Sequence, residues 1–463
     1  MNTTVNNDRT IIQDPTQDVA DFIESTLVYL DKSKQYQLKR MARNIWQRST
    51  PLYTKLQKEV NGQLFEKLAD GSYSISSCFI NAIETEFPGF AYTDKRKDTG
   101  KTVALPWVTK PHNMRDYQQE ACDIMLKSHR GVINFATGLG KTLVATHLAK
   151  QCRKRALIVC PSESVASQFY EIFVSAFGKQ KVGFYGDGKK KLGELTIGIA
   201  ASVSKHIADF QNHELGLVII DETHHTPATT FFTIAEGLAG VGKVFGLTAT
   251  DYRSDGKDIM ITGGCGHVLM RRDIKWGVDN QWLAELYFIV REVQTGGRDY
   301  KDDKLKSYKE HVLNNQIMKD QILADCQKMM ASGKTILCLV DEVAHGKELS
   351  AALGIPFATG QDSKSQEYVD QLNAGKIKGL IGTDSKVGEG TDTRNVDVLI
   401  MANFVASKGP VIQAIGRGLR KQGTKTKCII LDYIPMGSTM LTRHAHNRIV
   451  FYREITDKVK VVK

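Results

Sequence analysis

After Pro111 the chain repeats one pattern: a short apolar run, a polar loop, then a stretch of helical periodicity. The runs fall at 131–135, 156–160, 195–200, 217–220 and 244–247, and again at 335–340, 379–381, 396–401 and 428–431. Continuous apolar runs of this length mark parallel strands buried on both faces, and the intervening helices imply right-handed crossovers. The pattern predicts an α/β fold with two doubly wound parallel sheets in tandem. About 110 residues precede it, so three domains are expected: a small N-terminal accessory domain over 1–110, a first sheet domain over 111–283, and a second over 284–463 that ends in a basic segment. A length of 463 residues agrees at about 150 residues per domain.

The chemistry-bearing residues sit where the runs end. The run GVINF leads into Ala136-Thr137-Gly138-Leu139-Gly140-Lys141-Thr142, followed by the helical LVATHLAK. In such a loop the backbone N–H groups of 137–140 close round phosphates at a helix N-terminus, Lys141 reaches the β and γ phosphates, and Thr142 ligates Mg²⁺. The form departs from G-x-x-x-x-G-K-[ST] because Phe135 takes the first glycine position. Downstream, LGLVII ends in Asp221-Glu222-Thr223-His224-His225. A carboxylate at a strand's C-terminal end can hold Mg²⁺ while its neighbour orients the attacking water, so Asp221 is the expected metal residue and Glu222 the water activator. His224 is expected to couple this site to other motifs; the competing reading is a hydrogen-bonding loop residue. ATP and Mg²⁺ are the expected cofactors.

Charge points to an anionic partner. The net charge is +11, which favours nucleic acid without requiring it. Residues 1–31 carry six acids and one base, so the first 15 to 18 residues are expected to be a loose polar tail. Between Lys32 and Lys58 the balance inverts: eight bases, Arg40, Arg43 and Arg48 among them, appear with no acid and with Tyr36, Trp46 and Tyr53 interleaved. This fits a DNA-contacting surface, and it equally fits a solvated helix whose aromatics face the core. A second basic stretch, 417–463, has eleven Lys or Arg against three acids. The run Gly186-Asp187-Gly188-Lys189-Lys190-Lys191 reads as a tight turn carrying three lysines, solvated or touching a duplex. None of the eight cysteines is spaced for zinc or redox chemistry, which suits reduced thiols. No apolar run spans a bilayer and the N-terminus lacks a signal pattern, so a cytoplasmic protein is expected, in the host cytoplasm if it belongs to a phage.

Taken together, these elements resemble those of superfamily 2 helicases and translocases, from about Met114 to Asp432. Arg115-Asp116-Tyr117-Gln118 resembles the R-x-Y-Q element, in which the glutamine recognises adenine; ATGLGKT is similar to motif I, 160–168 to motif Ia, and DETHH to motif II. Leu247-Thr248-Ala249-Thr250 resembles motif III, which links nucleotide state to DNA contact and gives Thr248 and Thr250 coupling roles. Residues 382–392 resemble motif V, with Gly390 and Asp392 at the nucleotide, and Gln413-Ala414-Ile415-Gly416-Arg417-Gly418-Leu419-Arg420 resembles motif VI. Gln413, Arg417 and Arg420 therefore join Lys141, Asp221 and Glu222 as catalytic candidates. Arginines three apart share a helix face, so both can reach one anion, and an arginine from a second domain makes hydrolysis depend on closure. Two departures stand out: Thr223 at the third position of motif II, and Asp251 where a proline often follows motif III.

The resemblance implies two RecA-like domains, and within the superfamily it leans toward the phage UvsW-type branch-migration helicases. It places strand contacts at Ser162, Ser202, Thr359, Gly360 and Thr383, each of which could also be an ordinary loop cap. The expected function is ATP-dependent remodelling of branched or forked DNA in phage recombination, repair or replication. The motifs leave open an RNA helicase, and a structure-specific DNA-binding scaffold with a decayed ATPase; the intact Lys141, Asp221, Glu222, Arg417 and Arg420 weigh against decay.

Overall fold

The computed structural model describes residues 1–42, 50–59, 61–223, 228–249, 258–301, 303–360, 362, 364–383, 393, 395–404, 408–416, 418–419 and 425–463. Arg43, Arg48, His224, Thr250, Gly390, Asp392, Arg417 and Arg420 lie outside these residues. The chain divides into two compact units, Met1–Phe135 with Gly140–Arg271, and Ala136–Leu139 with Arg272–Lys463.

The first unit begins with β1 (Asn2–Val5), β2 (Arg9–Gln13), α1 (Gln17–Thr26), β3 (Val28–Leu30), α2 (Lys32–Ala42), α3 (Pro51–Glu59), β4 (Asn61–Gln63), β5 (Phe65–Lys67), β6 (Tyr73–Ser76) and β7 (Thr93–Asp94). Five of these strands form a sheet in the order β5-β6-β2-β1-β7, while β3 and β4 pair as a separate ribbon. The expected loose tail is instead a hairpin. Thr3, Val5, Thr10 and Ile12 alternate inward along β1 and β2, which pair antiparallel from Asn2↔Gln13 to Val5↔Thr10. The polar Asn6-Asn7-Asp8 are the turn between two alternating strands, and Asp18, Asp21 and Glu24 lie on α1, so the acidic balance reflects a turn and a helix and not disorder. Ile12, Val19, Ile23, Leu64, Tyr73, Ile75 and Phe79 form this sheet's core. In the basic segment Tyr36 is 71% exposed and Arg40 is exposed, so Tyr36 does not face the core.

The same unit continues with α4 (Asp116–Lys127), β8 (Arg130–Phe135), α5 (Lys141–Cys152), β9 (Ala156–Cys160), α6 (Glu163–Phe177), β10 (Val182–Gly186), β11 (Lys189–Lys191), β12 (Leu195–Ile199), β13 (Leu217–Asp221), α7 (Ala228–Gly237), β14 (Lys243–Thr248), α8 (Asp258–Cys265) and β15 (Val268–Arg272). The sheet order is β11-β10-β12-β9-β13-β14-β8-β15, with the run from β10 to β8 parallel throughout. Strands β8, β9 and β13 are buried at every residue because helices cover both faces. Each fully buried Ile, Val or Leu side chain contributes about 1.5–3 kcal/mol relative to exposure. The three lysines after Gly188 are not in the turn. Asp187 and Gly188, both at positive φ, make the turn, and Lys189–Lys191 form the exposed edge strand β11 antiparallel to β10.

In the second unit β16 (Glu285–Val293), β17 (Ile336–Val340), β18 (Phe357–Ala358), β19 (Gly379–Thr383), β20 (Val398–Ala402), α9 (Lys408–Gly416), β21 (Lys427–Pro435), α10 (Thr439–Ile455) and β22 (Val459–Val462) build a sheet ordered β18-β19-β17-β20-β21-β16-β22. Every pairing in it is parallel. Its buried centre holds Asp432 of β21, which accepts from Arg448 Nε (2.7 Å) and Nη2 (2.9 Å), Tyr452 Oη (2.8 Å) and its neighbour Tyr433 N–H (2.7 Å). Among the described residues no helix is long and apolar enough to cross a membrane, and all eight cysteines are free thiols.

Candidate active site

The first sheet brings its two acidic and basic motifs together at the carboxyl ends of β8 and β13. Gly138 and Gly140 have φ of +90° and +83°, a conformation that glycine adopts without strain, and Gly140 caps α5. Phe135, in place of the usual first glycine, is the last residue of β8; its ring is fully buried and meets Tyr117 edge-on at 5.5 Å. The position therefore belongs to the strand and not to the phosphate loop. Gln118 is buried beside the loop: a methyl group on Gly140 would lie 2.4 Å from Gln118 Nε2, so only glycine lets this amide approach. Gln118 Oε1 accepts from Arg115 N–H (2.9 Å) and Arg115 Nη1 donates to Tyr117 Oη (3.0 Å), so the R-x-Y-Q element is braced at the start of α4.

Lys141 and Glu222 form an ion pair at 3.1 Å, and Lys141 Nζ also donates to the Phe135 carbonyl at 3.2 Å. Glu222 has φ of +46°, a left-handed backbone that non-glycine residues seldom adopt and that recurs at functional sites. Its Oε2 accepts from Ala249 N–H at 3.3 Å, which ties motif II to motif III. Neither the ion pair nor this bond is readable from the sequence: the bond needs β13 and β14 side by side, and the ion pair needs β8 to pair with β14 in turn.

Asp221, the last residue of β13, is 5% exposed, and among the described residues its Oδ1 has no hydrogen-bond partner. Burial pushes its carboxyl up to about 7, the Glu222 carboxylate adds to the rise, and Lys141 opposes it. A buried carboxylate oxygen without a donor is what a divalent cation would satisfy. With the Thr142 hydroxyl at the head of α5, Asp221 fits the two-ligand manner in which Mg²⁺ joins protein to substrate phosphates. Among the described residues no cluster of three or more His, Cys, Asp or Glu gathers to hold a metal alone. Thr223 is fully buried and its N–H donates to the Leu247 carbonyl (3.4 Å). A methyl group on Gly246 would come within 2.9 Å of Thr223 Cγ2, so the bulkier third position of motif II is housed by a glycine in β14. Thr248 is buried at the end of β14.

The expected strand contacts separate. Ser162 caps α6, its side chain accepting from Val165 N–H at 3.5 Å. Ser202 is half-buried in a short helix. In the second unit Thr359 is buried and exchanges bonds with Ser365 Oγ (2.9 and 2.8 Å), while Gly360 is exposed. Thr383 is buried at the end of β19, and Gln413 is half-buried on α9.

The chain is similar to known proteins in sequence and in fold. Residues 111–253 match the family model for the type III restriction enzyme res subunit. A Saccharomyces cerevisiae protein with the provisional name ATP-dependent helicase IRC3 is 27% identical over 70% of this chain and 52% of its own. Probable helicase D10 of Escherichia phage T5 is 26% identical over 76% of this chain and 78% of its own. Among solved structures, the HsdR subunit fragment of a Vibrio vulnificus type I restriction enzyme aligns over 72% of this chain and 66% of that chain, with 21% identity and a TM-score of 0.55. T4 UvsW aligns over 100% and 99%, with 17% identity and a TM-score of 0.45. The chain spans about half the length of the first curated relatives it matches.

Proposed function

We propose that this chain, a member of helicase superfamily 2, is an ATP-dependent DNA helicase or translocase that remodels branched DNA, acting in the host cytoplasm during phage recombination, repair or replication. The observation that carries the ATPase is the Lys141–Glu222 pair beside the partnerless Asp221 Oδ1. Phosphoryl transfer needs positioning and charge stabilisation more than covalent chemistry. Arriving phosphates compete for Lys141, and its release from Glu222 frees that carboxylate to orient the attacking water. Thr142 and Asp221 would hold Mg²⁺, which would supply neutralisation of charge on the phosphates. Gln118, braced against the loop, reads the base, and Arg417 and Arg420 meet the charge developing at the γ phosphate. Glu222's bond to Ala249 N–H carries the nucleotide state into motif III.

DNA as the substrate rests on the basic segment, where exposed Tyr36 and Arg40 sit with no acid from 32 to 58. The test is ATP turnover measured in parallel with single-stranded DNA, duplex, forked DNA, a four-way junction and RNA. Forked and four-way DNA should stimulate most; RNA as the best activator would overturn the substrate assignment. Converting Arg40, Arg43 and Arg48 together to Gln should reduce junction affinity and flatten its salt dependence by about 0.7–0.9 log units for each lost phosphate contact. An unchanged slope would leave a merely solvated helix.

A further inference from the structure

The eight residues of α8 include two adjacent glycines, Gly263 and Gly264. Only proline is a poorer helix former than glycine, so a pair in so short a helix calls for a packing reason. A methyl on Gly263 would stand 2.9 Å from the Phe79 ring tip, and one on Gly264 would stand 2.6 Å from the Phe231 ring. These rings belong to different cores. Phe79 lies in the core of the N-terminal sheet, together with Met260 and Ile259 of α8. Phe231, on α7, lies in a core of the eight-stranded sheet, together with Ile261 and Cys265 of α8. One short helix thus supplies both cores, with Ser76 Oγ of β6 donating to the Gly263 carbonyl at 2.7 Å.

A second anchor lies at the other end of α7. The buried Arg130 guanidinium donates to the Asn7 carbonyl of the N-terminal sheet (2.7 Å) and to the carbonyls of Ala239, Val241 and Gly242 (2.6, 2.8 and 3.2 Å). Arg9 pairs with Glu236 at 3.0 Å. Between the anchors is a cavity of about 180 Å³ lined by Arg9, Ser76, Arg130, Glu236, Gly263 and Gly264. Helix α7 is the next element after Asp221-Glu222, and α8 the next after Leu247-Thr248-Ala249. Those upstream ends are bonded to each other through Glu222 and Ala249.

We propose that α8 is the joint through which the N-terminal domain, on engaging branched DNA, sets the rate of nucleotide hydrolysis, with Gly263, Ser76 and Phe79 as positioning residues. The proposal rests on the reading of that domain as a DNA grip. Two close-packed layers that share one helix cannot shift independently, so displacement of the N-terminal sheet moves the helix that follows motif III.

The test uses the full chain with Gly263→Ala, the compensating pair Gly263→Ala/Phe79→Leu, and Ser76→Ala. Three quantities are measured: affinity for a four-way junction without nucleotide, ATP turnover and KM on junction and on single-stranded DNA, and the melting temperature. In Gly263→Ala, junction affinity, single-strand turnover and KM for ATP should stay near wild type, while the ratio of junction-stimulated to single-strand-stimulated turnover falls about fivefold or more. Phe79→Leu, which removes the clashing ring tip, should restore most of the ratio. If Gly263→Ala does not melt cooperatively, Ser76→Ala carries the test, with a drop in the ratio of about twofold. An unchanged ratio overturns the proposal. So does a fallen ratio that Phe79→Leu fails to restore, since that is general destabilisation. Failure of the DNA-grip reading shows separately, as unaltered junction affinity in the Arg40, Arg43 and Arg48 triple variant.

Discussion

Two buried aspartates, one in each α/β sheet, have opposite surroundings. Asp432 is 1% exposed, and both of its oxygens are filled by Arg448, Tyr452 and the Tyr433 N–H. Asp221 is 5% exposed, sits beside another carboxylate, and keeps one oxygen without a donor. The first arrangement holds a sheet to its helix. The second costs stability and is retained at the end of a strand that carries the acidic motif. Complete satisfaction suits the structural charge of Asp432, and the deficit at Asp221 suits the metal-holding role proposed for it.

The comparison can be broken or sharpened by substitution. The largest effect is expected at the two arginines that the proposed function assigns to the γ phosphate: Arg420→Ala, and similarly Arg417→Ala, should lower kcat by about 10³–10⁵-fold with ATP affinity nearly unchanged, because a charge used in the transition state alters turnover. Steady-state kinetics beside nucleotide-binding titration checks this, and a loss confined to binding would reject the role. Next comes Arg448→Met, which leaves Asp432 buried and unpaired and should cost about 3–5 kcal/mol of stability in denaturant melts. Asp432→Leu/Arg448→Met should cost less than that single change. If Arg448→Met melts like wild type, Asp432 is not held as described.

At the working site the order of effects reverses. Lys141→Ala should reduce ATP turnover by roughly 10²–10³-fold yet leave the melting temperature and nucleotide-free DNA binding close to wild type. Retention of DNA-stimulated turnover would remove Lys141 from the phosphate site. The smallest effect belongs to Asp221→Asn in nucleotide-free protein. A carboxyl whose folded value is raised from 3.8 to about 7 binds its proton more tightly when folded. Its penalty is therefore absent below about pH 4, grows as pH rises, and is complete above about pH 7. The variant should melt about 2–4 °C above wild type at pH 8, with the difference vanishing near pH 4, even though turnover is lost. A lower melting point at pH 8 would mean that Asp221 stabilises the fold.

The parallel sheets were legible because burial on both faces leaves an unbroken apolar run. All nine runs coincide with strands whose starts differ by two residues at most. Strands that alternate were harder to see. Glu285–Val293 reads as ELYFIVREV: its apolar stretch LYFIV is bracketed by charges, and burial alternates along it, so it carries no mark of a strand buried on both faces. The N-terminal hairpin reads as a tail in the sequence because its turn is polar and its inward residues include Thr3 and Thr10. At the site, residue types and their order named Lys141, Asp221 and Glu222. Gly246 making room for Thr223, and Ala249 N–H reaching Glu222, are through-space facts that arise only once β13 and β14 are paired.

The edge strand β11 bears on how the protein survives at high concentration. A sheet whose last strand leaves backbone groups unpaired is a template on which an unfolded or neighbouring chain can add strands without limit. Here that last strand is three exposed lysines long. A second copy docking there would have to bring its own ammoniums against these, and a short strand offers few bonds in return. The Gly-Asp-Gly turn thus positions a charged stop at one border of the sheet, where Lys189 lies over the Phe184 ring at 5.3 Å and all three lysines stay exposed.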